Sequence, residues 1–403
     1  MIRAHKIRLN PTDEQAAFLT KCCHTNRAAY NWALAKWQEW RAMGAKPSAM
    51  ELKRLWNDQI DRLRPWARES FRDAYASAFD NLGDAFSRYF AGQNDYPKFK
   101  KRGKSRMSFT LANDKFSVEG YTAKLPKIGA ANMAEALRFA GKIVRGTVSM
   151  HAGHWYLSIT VQMSDAPRAK TGRRVGVDVG LKTLAVTSVA NGNRSDGEQL
   201  ENQKPLKNSL TKLRRLNRSL SRKVLGGRNW QKATIKLARH HERIANKRRD
   251  IWHKFTSSLA SRYDTVCIED LNIKGMTKNK RLSRAIADAG WAIGFAMLDY
   301  KCTDVRRVPR FAATSKPCNE CGRRKENLTL ADRVWLCACG NVVDRDLNAA
   351  KNILEMGIAQ PSNERPQVVA TSRVKRSRTA RKTASAASQV EVGTSMRAHL
   401  RTF

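Results

Sequence analysis

Acidic side chains are scarce in this sequence: 35 Asp and Glu stand against 76 Lys and Arg, leaving a formal net charge of +41 over 403 residues. A compact chain tolerates such self-repulsion when a polyanion relieves it, which points to a nucleic-acid partner and away from an inert, solvated surface. Long apolar runs are missing as well. Nothing approaches the ~20 apolar residues of a spanning helix, and the start, MIRAHKIRLNPTDEQ, lacks an apolar signal core, so a cytoplasmic location and no membrane partner are expected. Eight cysteines in a large intracellular chain read as thiols or metal ligands rather than disulfides. Four of them crowd between Cys318 and Cys339, while Cys22, Cys23, Cys267 and Cys302 sit in apolar contexts and read as core. The length allows two or three domains, each able to bury a core of its own.

The first strand signal is HKIRLNP. Thr12 with Gln15, and Ser48 with Glu51, then give two capping boxes, and Phe71, Tyr75, Phe79, Leu82, Phe86 and Phe90 recur at helical spacing. Residues 11–95 are therefore expected to be helical, with these aromatics in the core. The basic loop DYPKFKKRGKSR ends the pattern, and the chain to about Met163 reads as β. In HWYLSITVQM, Trp155, Leu157, Ile159, Val161 and Met163 share one face of a half-buried strand. The lone N-terminal strand needs partners, so residues 1–10 and 96–168 are expected to close one small barrel around the inserted helices.

Strands RVGVDVG and TLAVTSV follow the linker APRAKTGRR, and residues 204–260 read as a helical hairpin broken at Gly226 and Gly227. Between Lys204 and Lys254 there are seventeen Lys or Arg against Glu242 and Asp250 alone. A solvated face interleaves acids for i,i+4 pairing, so this one-sided charge favours a phosphate-facing surface. DTVCIEDLN reads as a buried strand, ADAGWAIGFAMLDYKC as one helix, and a last helix runs from about Asp344 to Met356. Residues 361–403, rich in Ser, Thr, Ala and Arg without apolar periodicity, read as a disordered basic tail.

Three acids occupy costly positions. Asp178 interrupts the apolar strand VGVDVG, where a lone carboxylate loses hydration, and Gly176 and Gly180 are expected to leave open space on its face. Glu269 ends VCIE, with Asp270 facing the opposite way. In VVDRDLNAAKNI, Asp344 fits the N-cap, while Asp346 lies on the stripe of Ala349, Ala350 and Ile353 that docks on the sheet, with Asn348 projecting elsewhere. Two-metal phosphodiester hydrolysis needs carboxylates held on rigid elements of this kind, and hard cations such as Mg²⁺ prefer oxygen ligands. Asp178, Glu269 and Asp346 are the candidate ligands, Asp178 shared between two ions and Glu269 on one. CNECG and CACG place Cys318, Cys321, Cys337 and Cys339 in a spacing close to that of a closed structural Zn²⁺ site, with the second knuckle one residue short.

GVDVGLKTLAV, IEDLNIKGM, SRAIADAGW, TSKPCNECG and DRDLNAAKNI, in this order, closely resemble the TnpB proteins of bacterial insertion sequences, compact relatives of type V CRISPR effectors. NRAAYNWALA and YPKFKKRGKSRMSFTL extend the match upstream, to cover nearly all of the chain up to about residue 360. The resemblance implies an α/β protein with an RNase H-like RuvC domain over 169–360, a zinc-finger insert at 314–343, and a wedge β-barrel interrupted by a helical recognition domain. It implies RNA-guided DNA endonuclease activity leaving a 5′-phosphate, with Asp178, Glu269 and Asp346 at the family's catalytic carboxylates. The implied partners are a guide RNA encoded near or overlapping the gene and a DNA target, double- and single-stranded, beside a short adjacent motif. Cys337-Ala338-Cys339 departs from the family pattern. Rival readings are a non-cleaving RNA-guided repressor, a strand-transfer transposase and a small type V CRISPR effector.

Overall fold

The computed structural model describes residues 2–164, 170–189, 197–329 and 332–361, so nearly all of the expected basic tail lies outside the described residues. Strand β1 (Ile2–Asn10) leads into α1 (Asp13–Ala42), which Thr12 and Gln15 open with the expected reciprocal cap. Ser48 and Glu51 do the same for α2 (Ala49–Leu63), each box contributing about 1 kcal/mol. The short α3 (Trp66–Glu69) and α4 (Arg72–Phe90) complete the helical part. Its core joins Leu34, Trp37, Trp56, Ile60, Phe79 and Phe86, with Trp37 stacked on Phe86 at 4.0 Å between ring centroids. Phe90 departs from the core reading. It lies on the last turn of α4, with its ring 6.0 Å from that of Phe86 at the edge of the core, and is 66% exposed.

Strands β2 (Met107–Ala112), β3 (Ser117–Glu119), β4 (Thr122–Leu125), β5 (Gly129–Met133), β6 (Lys142–His151) and β7 (His154–Gln162) join β1 in one antiparallel sheet of order β2-β6-β7-β1-β5-β4-β3. The N-terminal strand does find partners: it lies between β7 and β5, with Ile7 opposite Leu157 and Leu9 opposite Met133. Trp155, Leu157, Ile159 and Val161 alternate inward as their period requires. Edge strands β2 and β3 both feed the core that holds Phe109, Leu111 and Val118, but no ladder among the described residues joins them. The expected barrel is thus a curled seven-stranded sheet without hydrogen-bonded closure. Leu19, Cys22 and Cys23 of α1 pack on it, which anchors the helical part.

A second sheet holds β8 (Arg174–Asp178), β9 (Thr183–Thr187), β10 (Gln199–Glu201), β11 (Thr265–Glu269) and β12 (Asp304–Val308), in the order β10-β9-β8-β11-β12. Its first three strands are antiparallel neighbours, whereas β8, β11 and β12 run parallel. The basic hairpin is α5 (Pro205–Ser221) and α6 (Arg228–Arg262). One of its two acids, Glu242, accepts from the Tyr156 hydroxyl at 3.0 Å and so ties α6 to β7. After the short α7 (Ile273–Met276), the single helix expected around ADAGWAIGF is divided into α8 (Ser283–Ala289) and α9 (Trp291–Lys301). Gly290 adopts φ +68° between them, a left-handed conformation that ends a helix and that glycine enters without strain. The hairpin β13 (Val334–Leu336) and β14 (Val342–Asp344) leads into α10 (Arg345–Ile358), which covers the second sheet.

Candidate active site

Strands β8 and β11 are parallel neighbours with Ile268 opposite Val177, so Asp178 and Glu269 emerge side by side at the C-terminal edge of the sheet. Apolar side chains bury the strands up to that point: Val175, Val177, Val266 and Ile268 are all in the core. Helix α10 brings the third acid. A Cβ at Gly176 would collide with the Ala350 carbonyl and lie 2.7 Å from the Leu354 nitrogen. The expectation of open space beside Asp178 is therefore corrected at both glycines: the α10 backbone fills it at Gly176, and at Gly180 a Cβ would lie 2.8 Å from the Thr183 carbonyl oxygen. Gly357 returns the same relationship from the helix, since a Cβ there would lie 2.5 Å from the Cys267 sulfur. Close approach at these two glycines fixes α10, and with it Asp346, one turn before Ala350.

Asp344 takes the N-cap as expected, accepting from the Leu347 amide at 2.8 Å, and leaves Asp346 free to face the other acids. Burial, reinforced by the charges of Glu269 and Asp346, pushes the Asp178 carboxyl well above its ordinary range, against the opposing Val179 amide and Arg345. The three acids therefore share one electrostatic field, and each retains some exposure to solvent. Asp270 is turned away and pairs with Arg310 at 2.8 Å.

Two partners of the acids escaped the sequence reading. Thr314 donates its hydroxyl to Glu269 at 2.6 Å, and Arg333 donates to both oxygens of Asp346 at 3.2 and 3.3 Å. Among the described residues, only the four clustered thiols form a group whose donor atoms all lie within 4.8 Å of one another. Oxygen donors around a solvent-open edge fit hard cations, and the mutual repulsion on Asp178 is what a bound cation would relieve.

Cys318, Cys321, Cys337 and Cys339 converge as expected, with sulfurs 3.9 Å apart for Cys318 and Cys339 and 3.5 Å for Cys321 and Cys337. Thiolates at about 2.3 Å from a tetrahedral Zn²⁺ stand roughly 3.8 Å apart, so the four fit that ion. The shortened knuckle succeeds because Gly340, at φ +86°, turns the chain and donates its amide to the Cys337 carbonyl at 2.9 Å. Burial works to raise the Cys318 thiol, but the amides of Cys321 and Glu320 outweigh it and bring it down to about 6. The Arg323 amide favours the Cys321 thiolate, yet burial and the three neighbouring thiols push it up to about 12. Four thiols at this distance oppose one another's ionisation, and a divalent cation among them would favour the thiolates.

Asparagines on α10 strap this finger to the sheet. Asn352 donates to the Thr314 and Pro317 carbonyls at 2.7 and 2.9 Å, while Asn348 donates to Pro317 at 2.7 Å and accepts from the Asn319 amide at 2.8 Å. Asn348 thus contacts backbone, as its position away from the docking stripe required. A cavity of about 500 Å³ between α5 and α8 is lined by Lys204, Lys207, Lys280, Arg281 and Arg284. Its one acid, Asp288, is engaged by the Leu206 and Lys207 amides at the start of α5. The cationic lining therefore faces the cavity without an acidic counterpart.

The sequence matches a family described as "Probable transposase", the OrfB family of IS605 elements, over residues 158–280, and a "Cas12f1-like, TNB domain" over 291–353, which includes the finger. A "Helix-turn-helix domain" profile matches 1–46, where the structure has β1 and α1. A Streptomyces pristinaespiralis protein bearing the provisional name RNA-guided DNA endonuclease is 34% identical over 379 residues, which is 89% of this chain and 90% of that protein. The Escherichia coli K12 protein InsQ, also provisionally named an RNA-guided DNA endonuclease, is 30% identical over 383 residues, 89% of this chain and 93% of its own. Among solved structures, that of the Cas12f1-sgRNA-target DNA complex aligns with TM-score 0.53 at 15% identity, covering 85% of this chain and 83% of that one, which shows a common fold. On the full-length identities, the chain belongs to the TnpB family of insertion-sequence proteins.

Proposed function

We propose that the protein is an RNA-guided DNA endonuclease of a transposable element, hydrolysing phosphodiester bonds at Asp178, Glu269 and Asp346. The observation that carries this reading is the convergence of three acids from remote parts of the sequence: Asp178 and Glu269 at the ends of the paired strands β8 and β11, and Asp346 on α10, which packs against Gly176 of β8. The second sheet with its helices, over 169–360, is the RuvC nuclease domain in this reading. Residues 1–10 and 96–168 are the wedge, and 11–95 the recognition helices.

Asp178, Glu269 and Asp346 would hold Mg²⁺, which supplies an activated water and neutralises charge developing on the phosphate. All three acids stand on β8, β11 and α10, and two are further oriented by a neighbouring side chain, Glu269 by Thr314 and Asp346 by Arg333. Cys318, Cys321, Cys337 and Cys339 would hold structural Zn²⁺, and Asn348 and Asn352 transmit the position of the finger to the sheet. The basic hairpin and the cationic cavity supply charge for a guide RNA and its target heteroduplex, read through backbone shape rather than sequence. A non-cleaving repressor would have no need of the three gathered acids.

The test is Asp178→Ala in the chain purified with its own RNA. Cleavage of a matched target should vanish while RNA retention and target binding stay near the parent values. Continued cutting by this variant would overturn the assignment, and a chain that carries no discrete RNA would remove the guided part of it.

A further inference from the structure

Phe311 is 95% exposed, more than any other large apolar side chain among the described residues. Its neighbours are not loose. Arg310 donates to the Asp270 carbonyl at 3.2 Å and to its side chain at 2.8 Å, on the residue that follows Glu269. The Ala312 amide closes a turn onto the Pro309 carbonyl at 3.0 Å, and its methyl packs against the cluster of Cys267, Val308 and Ile353. Thr314 bonds Glu269 and is itself held by Asn352. A segment fixed at both ends thus presents one aromatic ring to solvent. It does so beyond the C-terminal ends of β11 and β12, where Glu269 pairs with Val308 and where open α/β sheets receive their ligands.

From this geometry we infer that Phe311 is a stacking platform for a nucleobase of the DNA strand being cut, positioning that nucleotide beside the three acids. The inference rests on the nuclease reading and adds to it a contact with an unstacked base. A ring with both faces open suits a single strand, because bases inside a duplex already have both faces covered. Stacking tolerates any base, so the contact would hold the strand without selecting its sequence.

The test uses the full chain carrying its RNA. In single-turnover cleavage of a matched DNA target, Phe311→Ala should slow cutting roughly tenfold, within the range such contacts span. Phe311→Trp should recover most of that loss, and Phe311→Leu, apolar but not aromatic, should not. The thermal midpoint of the free protein should not change, since the ring has no partner among the described residues. A second readout needs no cutting: 2-aminopurine placed near the cut in the DNA, bound to the Asp178→Ala complex, should be quenched and should brighten when Phe311→Ala is added. Parental cutting by Phe311→Ala, rescue by Leu equal to rescue by Trp, or quenching that Phe311→Ala leaves unchanged would each overturn the proposal. A parent that never cuts would instead sink the nuclease reading, and the fluorescence would still decide the stacking.

Discussion

Gly176, inside β8, lies directly beneath the Ala350 carbonyl of α10, two residues along the strand from Asp178. The nearest atoms are helix backbone, which cannot rotate aside as a side chain can. A methyl group at Gly176 must therefore lift α10 off the sheet, and Asp346 moves with it. Gly176→Ala should cost about 3 kcal/mol, the upper end of ordinary overpacking, and should lower cleavage far more than the matching change at exposed Gly226. Thermal unfolding and cleavage rate, measured together, check this. A variant with parental activity would show that Asp346 does not depend on this contact.

Asp178→Asn should stabilise the fold in the absence of divalent ions. The Asp178 carboxyl titrates above its ordinary range in the folded state, because burial and then Glu269 and Asp346 oppose its charge. Between the unfolded value, about 3.9, and the raised folded value, the native state binds more protons than the unfolded chain, so stability falls as pH rises through that window. The asparagine variant does not suffer that loss. Its advantage in thermal midpoint should grow with pH across the window and then level off, and added Mg²⁺ should raise the parent and erase the difference. A constant difference at all pH values would place the cause elsewhere.

These sites were unequally legible in the sequence. Asp178 stood out because an acid inside an apolar strand has a local cost that any reader of the chain can see. Thr12 with Gln15 and Ser48 with Glu51 were equally plain, since a capping box is complete within four residues. Thr314 and Arg333 were not, because the acids they orient lie 45 and 13 residues away and only the fold introduces them. Gly176 was noticed but misread: sequence reveals a missing side chain and not the helix that occupies the gap. Strand β12 was hidden by its own arginines, and Arg306 is in fact used, donating to the carbonyls of Ile358, which ends α10, and of Gln360 beyond it at 2.9 and 3.0 Å. Gly290 gave no warning within a run of good helix formers, because its break is expressed only as a backbone angle.

Elemental analysis should find one zinc per chain, and Cys337→Ser or Cys339→Ser should each lose it, because both arms of the short knuckle reach the cluster. Loss of zinc should also weaken cleavage, since the finger carries Arg333 and is strapped to α10 through Asn348 and Asn352. Asn352→Ala separates the two effects. It leaves the thiols alone but strands the Thr314 carbonyl, at about 1 to 3 kcal/mol, while Asn348 still serves Pro317. That variant should keep its zinc and still cut more slowly. Full zinc in Cys339→Ser would show that the exposed thiol is not a ligand.

The hairpin makes a quantitative prediction about salt. Arg214 and Arg218 on α5, and Lys232 and Lys236 on α6, are exposed and spaced four residues apart, so each pair lies on one helical face. If each meets one phosphate, changing all four to Gln removes four released counterions from the binding equilibrium. The slope of log K for RNA against log salt should then become shallower by roughly 3, and affinity at low salt should fall while affinity at high salt falls less. Cleavage by complexes already formed should be nearly unchanged, because none of the four reaches the acids. Binding curves for the quadruple variant at several salt concentrations settle the matter: an unchanged slope would mean that the charge on this hairpin faces solvent and that the nucleic acid runs elsewhere.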